Sequence, residues 1–311
     1  MKIICALTLI HSFQRVVFSV IFSGTIRLNR KGLKYHFFRK IVTLHRKFCD
    51  IYSLGFTMAD DLASKVRDWL HSTGFPLEME AAAAFRSAGF DVRQSASYAD
   101  QQTDKGREID VLATDPDELG VVRISYVVEC KASSKPWVVL CSNSTLSGYN
   151  RLLAFGLTSA AARLALAERI PKRGSEAQQY VFVDSRAGYG MREALGAKDT
   201  DPAYAAAMSA LKACHSLIRE GDPDEVPPLC FSFPVVVVDS PVFECTLASD
   251  GSLELQQVQR TAFLFSTHVP EPIGCLVHVV TREELPTFAR WAKCVATALR
   301  VDFQDKEIEA L

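Results

Sequence analysis

The sequence predicts an α/β protein with an αβββαβ core followed by an α+β extension. Three observations predict this class. A helical pattern over residues 77–88 precedes three strand-like segments, the first of them over 90–95. Two of these segments, 107–112 and 127–131, are separated by turn residues. A strong helical pattern over 152–170 then leads to an apolar run at 180–183, which we interpret as the fourth core strand.

Charge divides the chain into a basic start and an acidic body. Residues 1–57 carry ten Lys and Arg and one acidic residue, which leaves 25 basic and 35 acidic residues for the rest. We therefore predict a basic N-terminal extension over 1–57, a first domain over 58–190 and an α+β C-terminal extension over 191–311. An acidic body repels phosphate, so a nucleic-acid partner would need a local basic patch.

The basic extension has three interpretations. In the first, the functional chain begins at Met58 and the extension has no structural role. The others are a segment that lies on an anionic membrane surface and a basic arm for nucleic acid. The chain has no uninterrupted apolar run of the length that spans a bilayer, so a membrane partner is not expected.

The nine cysteines are scattered, without a Cys-x-x-Cys or Cys/His cluster. This distribution argues against a zinc site and against a disulfide framework. It predicts a cytoplasmic protein whose cysteines are small core residues.

The hairpin formed by 107–112 and 127–131 carries the candidate site. If it turns at Leu119-Gly120, antiparallel pairing places Asp110 opposite Glu129. Glu129 and Lys131 share one face of their strand, and Cys130 points to the other. Two close carboxylates are costly unless they are neutralised, and a divalent cation is a common solution.

The second half reads as a mixture of helices and strands. It could form a separate α+β domain or extend the first sheet. His278 is predicted to be a core or edge residue, because no ligand set accompanies it. The predicted elements are a helix over 203–219, a strand over 233–238, a hairpin around Asp250-Gly251, strands over 262–265 and 276–280, and a helix over 282–300.

Residues 75–185 resemble the PD-(D/E)xK, or restriction-endonuclease-like, nuclease superfamily, with its Mrr-like, RecB-like and Holliday-resolvase-like branches. The residues that match are Glu78 on the opening helix, Asp110 at the end of a hairpin strand, and Glu129 with Lys131 on the next strand. The family's proline is absent, since Ile109 precedes Asp110. The resemblance implies a restriction-endonuclease-like αβββαβ core.

The resemblance also implies hydrolysis of DNA phosphodiester bonds with Mg²⁺ or Mn²⁺, in DNA defence or processing; RNA remains open as a substrate. Asp110, Glu129, the backbone carbonyl of Cys130 and Glu78 would hold the metal, since magnesium prefers oxygen ligands and keeps several waters. Lys131 would be catalytic, positioning the attacking water and stabilising charge on the phosphate.

The candidate nucleic-acid contacts are Arg107, Lys135, Trp137 and Arg186, although Trp137 fits a core position equally well. Three alternatives remain beside the nuclease. The chain could be an inactive nuclease-fold protein that only binds nucleic acid, or a membrane-associated protein anchored by 1–57. The hairpin could also carry an ordinary cross-strand ion network. Homodimerisation and substrate choice are the roles considered for the C-terminal extension.

Overall fold

The computed structural model describes residues 61–100, 102–196, 201–219, 228–268 and 272–309. The basic extension predicted over 1–57 therefore lies outside the described residues. Residues 61–71 are helical, and the chain from Arg67 onwards belongs to one compact unit. Among the helices of these described ranges, none is long and apolar enough to cross a membrane.

The first part of the fold is a helix followed by an antiparallel meander. Helix α1 (Phe75–Ser87) has a proline in its first turn, where the missing N–H costs nothing. Gly89, with φ 89°, redirects the chain after the helix. The chain then forms strands β1 (Asp91–Asp100), β2 (Lys105–Thr114) and β3 (Val122–Lys131).

The predicted register of the hairpin is confirmed. Val111 pairs with Val128 and Thr114 with Ser125, so the next position of the same register is Asp110 beside Glu129. The Asp117 side chain organises the turn, because its Oδ1 accepts hydrogen bonds from the backbone N–H groups of Leu119 and Gly120.

The α/β class is confirmed, since eleven strands of the described ranges form one mixed sheet with helices packed against it. The order across the sheet is β1-β2-β3-β7-β11-β10-β6-β4-β8-β9, and the short β5 pairs with β7. The further strands are β4 (Trp137–Ser142), β5 (Leu157–Thr158), β6 (Ala187–Glu193), β7 (Leu229–Val238), β8 (Val242–Leu247), β9 (Leu253–Val258), β10 (Arg260–His268) and β11 (Pro272–Thr281).

The second half of the chain extends the first sheet; it does not form a separate unit. Strand β7 lies parallel to β3 along its whole length, from Val122 beside Leu229 to Lys131 beside Val238. All ten residues of β7 are buried, as expected for a central strand covered on both faces. Strands from the two sides of the boundary predicted at residue 190, β3 and β7, therefore pair directly with each other.

Helices cover both faces of the sheet. The remaining helices are α2 (Arg151–Phe155), α3 (Ala160–Arg169), α4 (Gln178–Val181), α5 (Pro202–Leu217), α6 (Leu285–Asp302), which a 3-10 turn (Arg282–Glu284) precedes, and α7 (Gln304–Glu309). Helices α1 and α6 pack with Val128 in one core cluster, and α5 packs with Val127 in another. Because neighbouring strand residues point to opposite faces, α5 lies across the sheet from α1.

Two of the secondary-structure elements predicted from the sequence are wrong. The single helix expected over 152–170 is split into α2 and α3, because the backbone is extended at Gly156. Glycine is required there, since a Cβ would lie 2.8 Å from the Phe233 ring. The chain straightens there to pair with β7, and the Ser159 hydroxyl then caps α3 by accepting from the Ala162 N–H at 3.2 Å.

The strand expected over 180–183 is also absent. Gln178–Val181 forms the helix α4, and within the apolar run only Val181 is buried. The place beside β3 belongs to β7, whose ten residues are all buried and, apart from Ser232, apolar, which suits a central strand better than the shorter run at 180–183.

Candidate active site

The candidate site lies where strands β2 and β3 separate. Their ladder covers Val111 to Thr114 on β2, and the pairing stops at Val111, next to Asp110. Beyond it, β2 stays paired with β1 and β3 stays paired with β7. The Asp110 side chain occupies the fork, where its Oδ2 accepts a hydrogen bond from the Cys130 backbone N–H at 2.8 Å. A carboxylate thus takes the place of a backbone partner between the strands.

Glu129 and Lys131 form an ion pair beside Asp110. The distance between Lys131 Nζ and Glu129 Oε1 is 2.6 Å, and Glu129 is only 8% exposed. Both residues point to the face that α5 covers, whereas Cys130 belongs to the core cluster on the opposite face, as the strand alternation predicts. Burial raises the pKa of the Cys130 thiol well above its ordinary value, so it remains an un-ionised core residue.

Glu78 lies in the first turn of α1 and is electrostatically coupled to the same site. Burial raises the pKa of its carboxyl, and the charges of Asp110 and Glu108 raise it further, while Lys131 acts in the opposite direction. Glu80, two residues further along, instead pairs with Arg282 through both carboxylate oxygens. Of the two glutamates in this turn, Glu78 is therefore the one coupled to the site.

The pKa values of the strand carboxyls are also raised. Burial raises the pKa of Asp110, and the Cys130 N–H and Lys131 reduce that effect. Burial and then the Asp110 charge raise the pKa of Glu129. For Lys131, burial lowers the pKa, but the charge and hydrogen bond of Glu129 outweigh it and leave the pKa above its ordinary value. The ammonium is therefore protonated at neutral pH, which suits charge stabilisation better than a role as a free base.

The donor set has the chemistry that a hard divalent cation requires. Asp110 and Glu129 offer carboxylate oxygens, and the backbone carbonyl of Cys130 is next to Glu129 in the chain. The carboxyl of Glu78 is electrostatically coupled to both strand carboxylates. Magnesium keeps several waters and is held by as few as one or two protein carboxylates. Within the described part of the chain, no group of three or more His, Cys, Asp or Glu side chains is arranged to hold a metal ion. The fit therefore rests on the two strand carboxylates and the carbonyl.

Residues that sequence reasoning missed complete the surroundings. Ser209 on α5 lies close enough to Glu129 and Tyr98 for its hydroxyl to lower the pKa of both groups. Lys212, one turn further along α5, pairs with the buried Asp100 at 3.1 Å. Neither residue carries a local signal, because the path of α5 across the meander depends on the whole fold.

The charged residues among the predicted nucleic-acid contacts do not form a free basic patch, because each is paired with a carboxylate. Arg107 pairs with Asp100 at 3.6 Å, and Lys135 pairs with Glu193 at 3.7 Å. Arg186 pairs with Glu244 and lines a cavity that contains none of the site carboxylates. The prediction that Trp137 contacts nucleic acid is wrong, and its alternative as a core residue is confirmed. Its side chain has 0% exposure and packs in a core cluster with residues of the sheet and of α5.

Comparison of the chain with protein-family models, with curated proteins and with solved structures gives no significant match.

Replacing Asp110 with asparagine is expected to stabilise the protein at neutral pH when divalent cations are absent. Because the pKa of Asp110 is raised by folding, its contribution to stability is full below the ordinary carboxyl pKa and is lost as pH rises through the raised value. Asparagine removes the charge and keeps an oxygen for the Cys130 N–H. We expect a measurable gain in the free energy of unfolding at neutral pH, because the charge that burial penalises has been removed.

Urea unfolding at pH 7.5 and pH 3 in EDTA measures this effect. The gain should be present at pH 7.5 and vanish at pH 3, and the exposed Asp91→Asn serves as the matched control. A destabilised Asp110→Asn at pH 7.5 would contradict the electrostatic account of the site.

Proposed function

We propose that this protein is a metal-dependent nuclease with a restriction-endonuclease-like core, which hydrolyses phosphodiester bonds of DNA. One observation carries the proposal: at the fork between β2 and β3, Asp110, Glu129 and Lys131 come together, and Glu78 is electrostatically coupled to them from α1. Three separate elements thus bring acidic and basic groups within electrostatic reach of one another. An isolated surface ion network would leave these groups exposed, whereas Glu129 is buried.

The order and packing of the elements support the same proposal. Helix α1, the meander β1–β3, helix α5 and strand β7 follow the αβββαβ order, with β7 parallel to β3. Helices α1 and α5 pack on opposite faces. In this account, residues 137–193 are an insertion between β3 and α5, and its strands β4 and β6 add to the far side of the sheet.

The side chains have distinct roles in this proposal. Asp110 and Glu129 would hold a Mg²⁺ or Mn²⁺ ion together with the Cys130 carbonyl, and Glu78 would supply a further oxygen. The bound ion would supply Lewis-acid activation of water and neutralisation of phosphate charge. The Lys131 ammonium would orient the attacking water and stabilise negative charge on the phosphate oxygens. The ionised carboxylates keep Lys131 protonated, so it donates hydrogen bonds and is not the proton acceptor.

The test is a cleavage assay with the full chain on supercoiled, linear duplex and single-stranded DNA and on single-stranded RNA. Each substrate is incubated with Mg²⁺, with Mn²⁺ or with EDTA. We expect cleavage that depends on the divalent ion and falls at least 100-fold in Asp110→Asn and in Glu129→Gln, the range seen when a group that stabilises the transition state is removed. The exposed Glu168→Gln is the matched control and should cleave normally.

Calorimetric titration with Mn²⁺ gives a readout that is independent of cleavage. Wild type should bind the ion, and Asp110→Asn should bind it much more weakly. Equal cleavage by wild type and both variants would rule out this site as the source of the activity.

The second candidate is a protein that keeps this core and binds nucleic acid without cutting it. The observation that favours it is that, in the described part of the chain, no group of three or more His, Cys, Asp or Glu side chains is arranged to hold a metal ion. Binding of DNA in EDTA by a protein that forms no product with either metal would identify this alternative.

A further inference from the structure

A cavity of about 310 Å³ lies apart from the candidate active site. It is lined by residues of β10 and β11, by α2, and by Tyr180 and Trp291, and none of Glu78, Asp110, Glu129 or Lys131 contributes to it. Most of its lining residues are apolar or aromatic, and a few are polar. This combination is typical of small-molecule sites, in which an apolar surface binds the body of a ligand and a few polar groups orient it.

Arg260 brings a positive charge to this cavity without a matching negative one. Its guanidinium carbon lies 3.7 Å from the centroid of the Trp291 ring and 4.9 Å from that of Phe288. Burial lowers the pKa of Arg260, and Tyr126 and then Glu284 oppose this effect. No carboxylate of the described residues forms an ion pair with Arg260. Stacking on aromatic rings offsets part of the cost of burial, but it leaves the hydrogen-bonding edge of the guanidinium without an anion.

The other charged groups of the cavity are already neutralised. Arg186 pairs with Glu244, and the Thr261 hydroxyl donates to the second oxygen of that carboxylate at 2.5 Å. Glu244 is therefore engaged with two partners and is not directed at Arg260. The net charge that the cavity offers to a ligand is the single positive charge of Arg260.

His278 adds hydrogen-bonding capacity beside that charge. Its side chain is 8% exposed, and burial together with Arg260 lowers its pKa to about 3, so the ring is neutral. The ring packs against Phe288 and Trp291, and among the described residues its nitrogens have no hydrogen-bond partner. A neutral imidazole offers one donor and one acceptor, and both are available to a molecule in the cavity.

We propose that this cavity binds a small organic anion with a flat, largely apolar body. The anionic group, a carboxylate, sulfonate or phosphate, pairs with Arg260 and lies within reach of His278. The apolar body occupies the space beside Phe155, Phe233 and Leu276. The volume lies near the lower limit of ligand pockets, about 300–1,000 Å³, so the ligand is a small molecule and not a stretch of nucleic acid.

The test compares two probes of similar shape that differ in charge. The full chain is titrated with 8-anilinonaphthalene-1-sulfonate, which is anionic, and with N-phenyl-1-naphthylamine, which is neutral, and probe fluorescence is measured. We expect wild type to prefer the anion and Arg260→Met to lose affinity for the anion about tenfold while keeping its affinity for the neutral probe within about twofold. Arg260→Lys should retain part of the preference, and the exposed Arg123→Met should retain all of it.

A second variant tests the location. Ala262 lines the cavity, so Ala262→Phe should fill it and remove binding of both probes without removing the charge of Arg260. Unchanged binding in Ala262→Phe would place the probes on exposed apolar surface and overturn the proposal, as would equal affinity of wild type for the two probes. Displacement of the anionic probe by phenylacetate or by adenosine monophosphate then separates carboxylate from phosphate ligands. None of these outcomes depends on nuclease activity.

Discussion

Replacing Lys131 with methionine is expected to lower metal-dependent DNA cleavage about 10²–10³-fold, the usual cost of removing one group that stabilises transition-state charge. Methionine keeps much of the length and apolar body of the side chain but cannot donate a hydrogen bond. Because Lys131 Nζ lies 2.6 Å from Glu129 Oε1, removal of the ammonium also frees that carboxylate for the metal. Mn²⁺ affinity should therefore be maintained or increase, in contrast to its loss in Asp110→Asn.

Single-turnover cleavage and calorimetric titration with Mn²⁺, carried out on the same preparations, separate the two effects. The exposed Lys172→Met is the matched control for loss of one lysine charge. If Lys131→Met lost Mn²⁺ affinity and cleavage together, Lys131 would act by assembling the metal ligands and not on the phosphate. Full activity of Lys131→Met would remove Lys131 from the mechanism.

Replacing Asp115 with alanine is expected to destabilise the protein by about 2–4 kcal/mol, because truncating one partner of a buried ion pair leaves uncompensated charge. Asp115 is 2% exposed and lies just after β2, where it accepts from Lys293 Nζ at 2.5 Å and also from Arg300 Nε. Both basic residues lie on α6. The variant therefore loses the ionic contacts between the β2–β3 hairpin and this helix.

Urea unfolding at neutral pH measures the loss, with Glu80→Ala as the matched control. Glu80 also pairs with an arginine, Arg282, but both side chains are 44% exposed. Exposed pairs contribute about 0–1 kcal/mol, so the control should change stability little. Similar losses in the two variants would show that burial does not determine the strength of the Asp115 contacts.

The local part of the site was predictable from the sequence. The Asp117 to Gly120 turn fixes the hairpin register, and the register fixes Asp110 beside Glu129. Strand alternation then separates Cys130 from Lys131. Each of these steps involves residues close together in the chain, where turn chemistry and side-chain alternation operate.

The long-range part was not predictable in the same way. Tyr180–Val183 and Leu229–Val238 are both apolar runs, and no local rule decides which of them pairs with β3. The longer run takes that place because it can be buried along all ten residues. Likewise, Ser209 and Lys212 lie near the site only because α5 crosses the meander. Trp137 is buried because β4 joins the far side of the sheet.

The pairing of β3 with β7 has a consequence for the synthesis of this protein. Ser125 and Ser232, which share a hydrogen bond at 2.9 Å, are separated by 107 positions in the chain. At a translation rate of about 5–20 residues per second, β3 leaves the ribosome roughly 5–20 s before its partner. During that interval an apolar strand has an open edge that other chains can join. Newly made chains are therefore most exposed to aggregation before residue 238 has emerged, and the fork that holds Asp110 and Glu129 is completed only after that point.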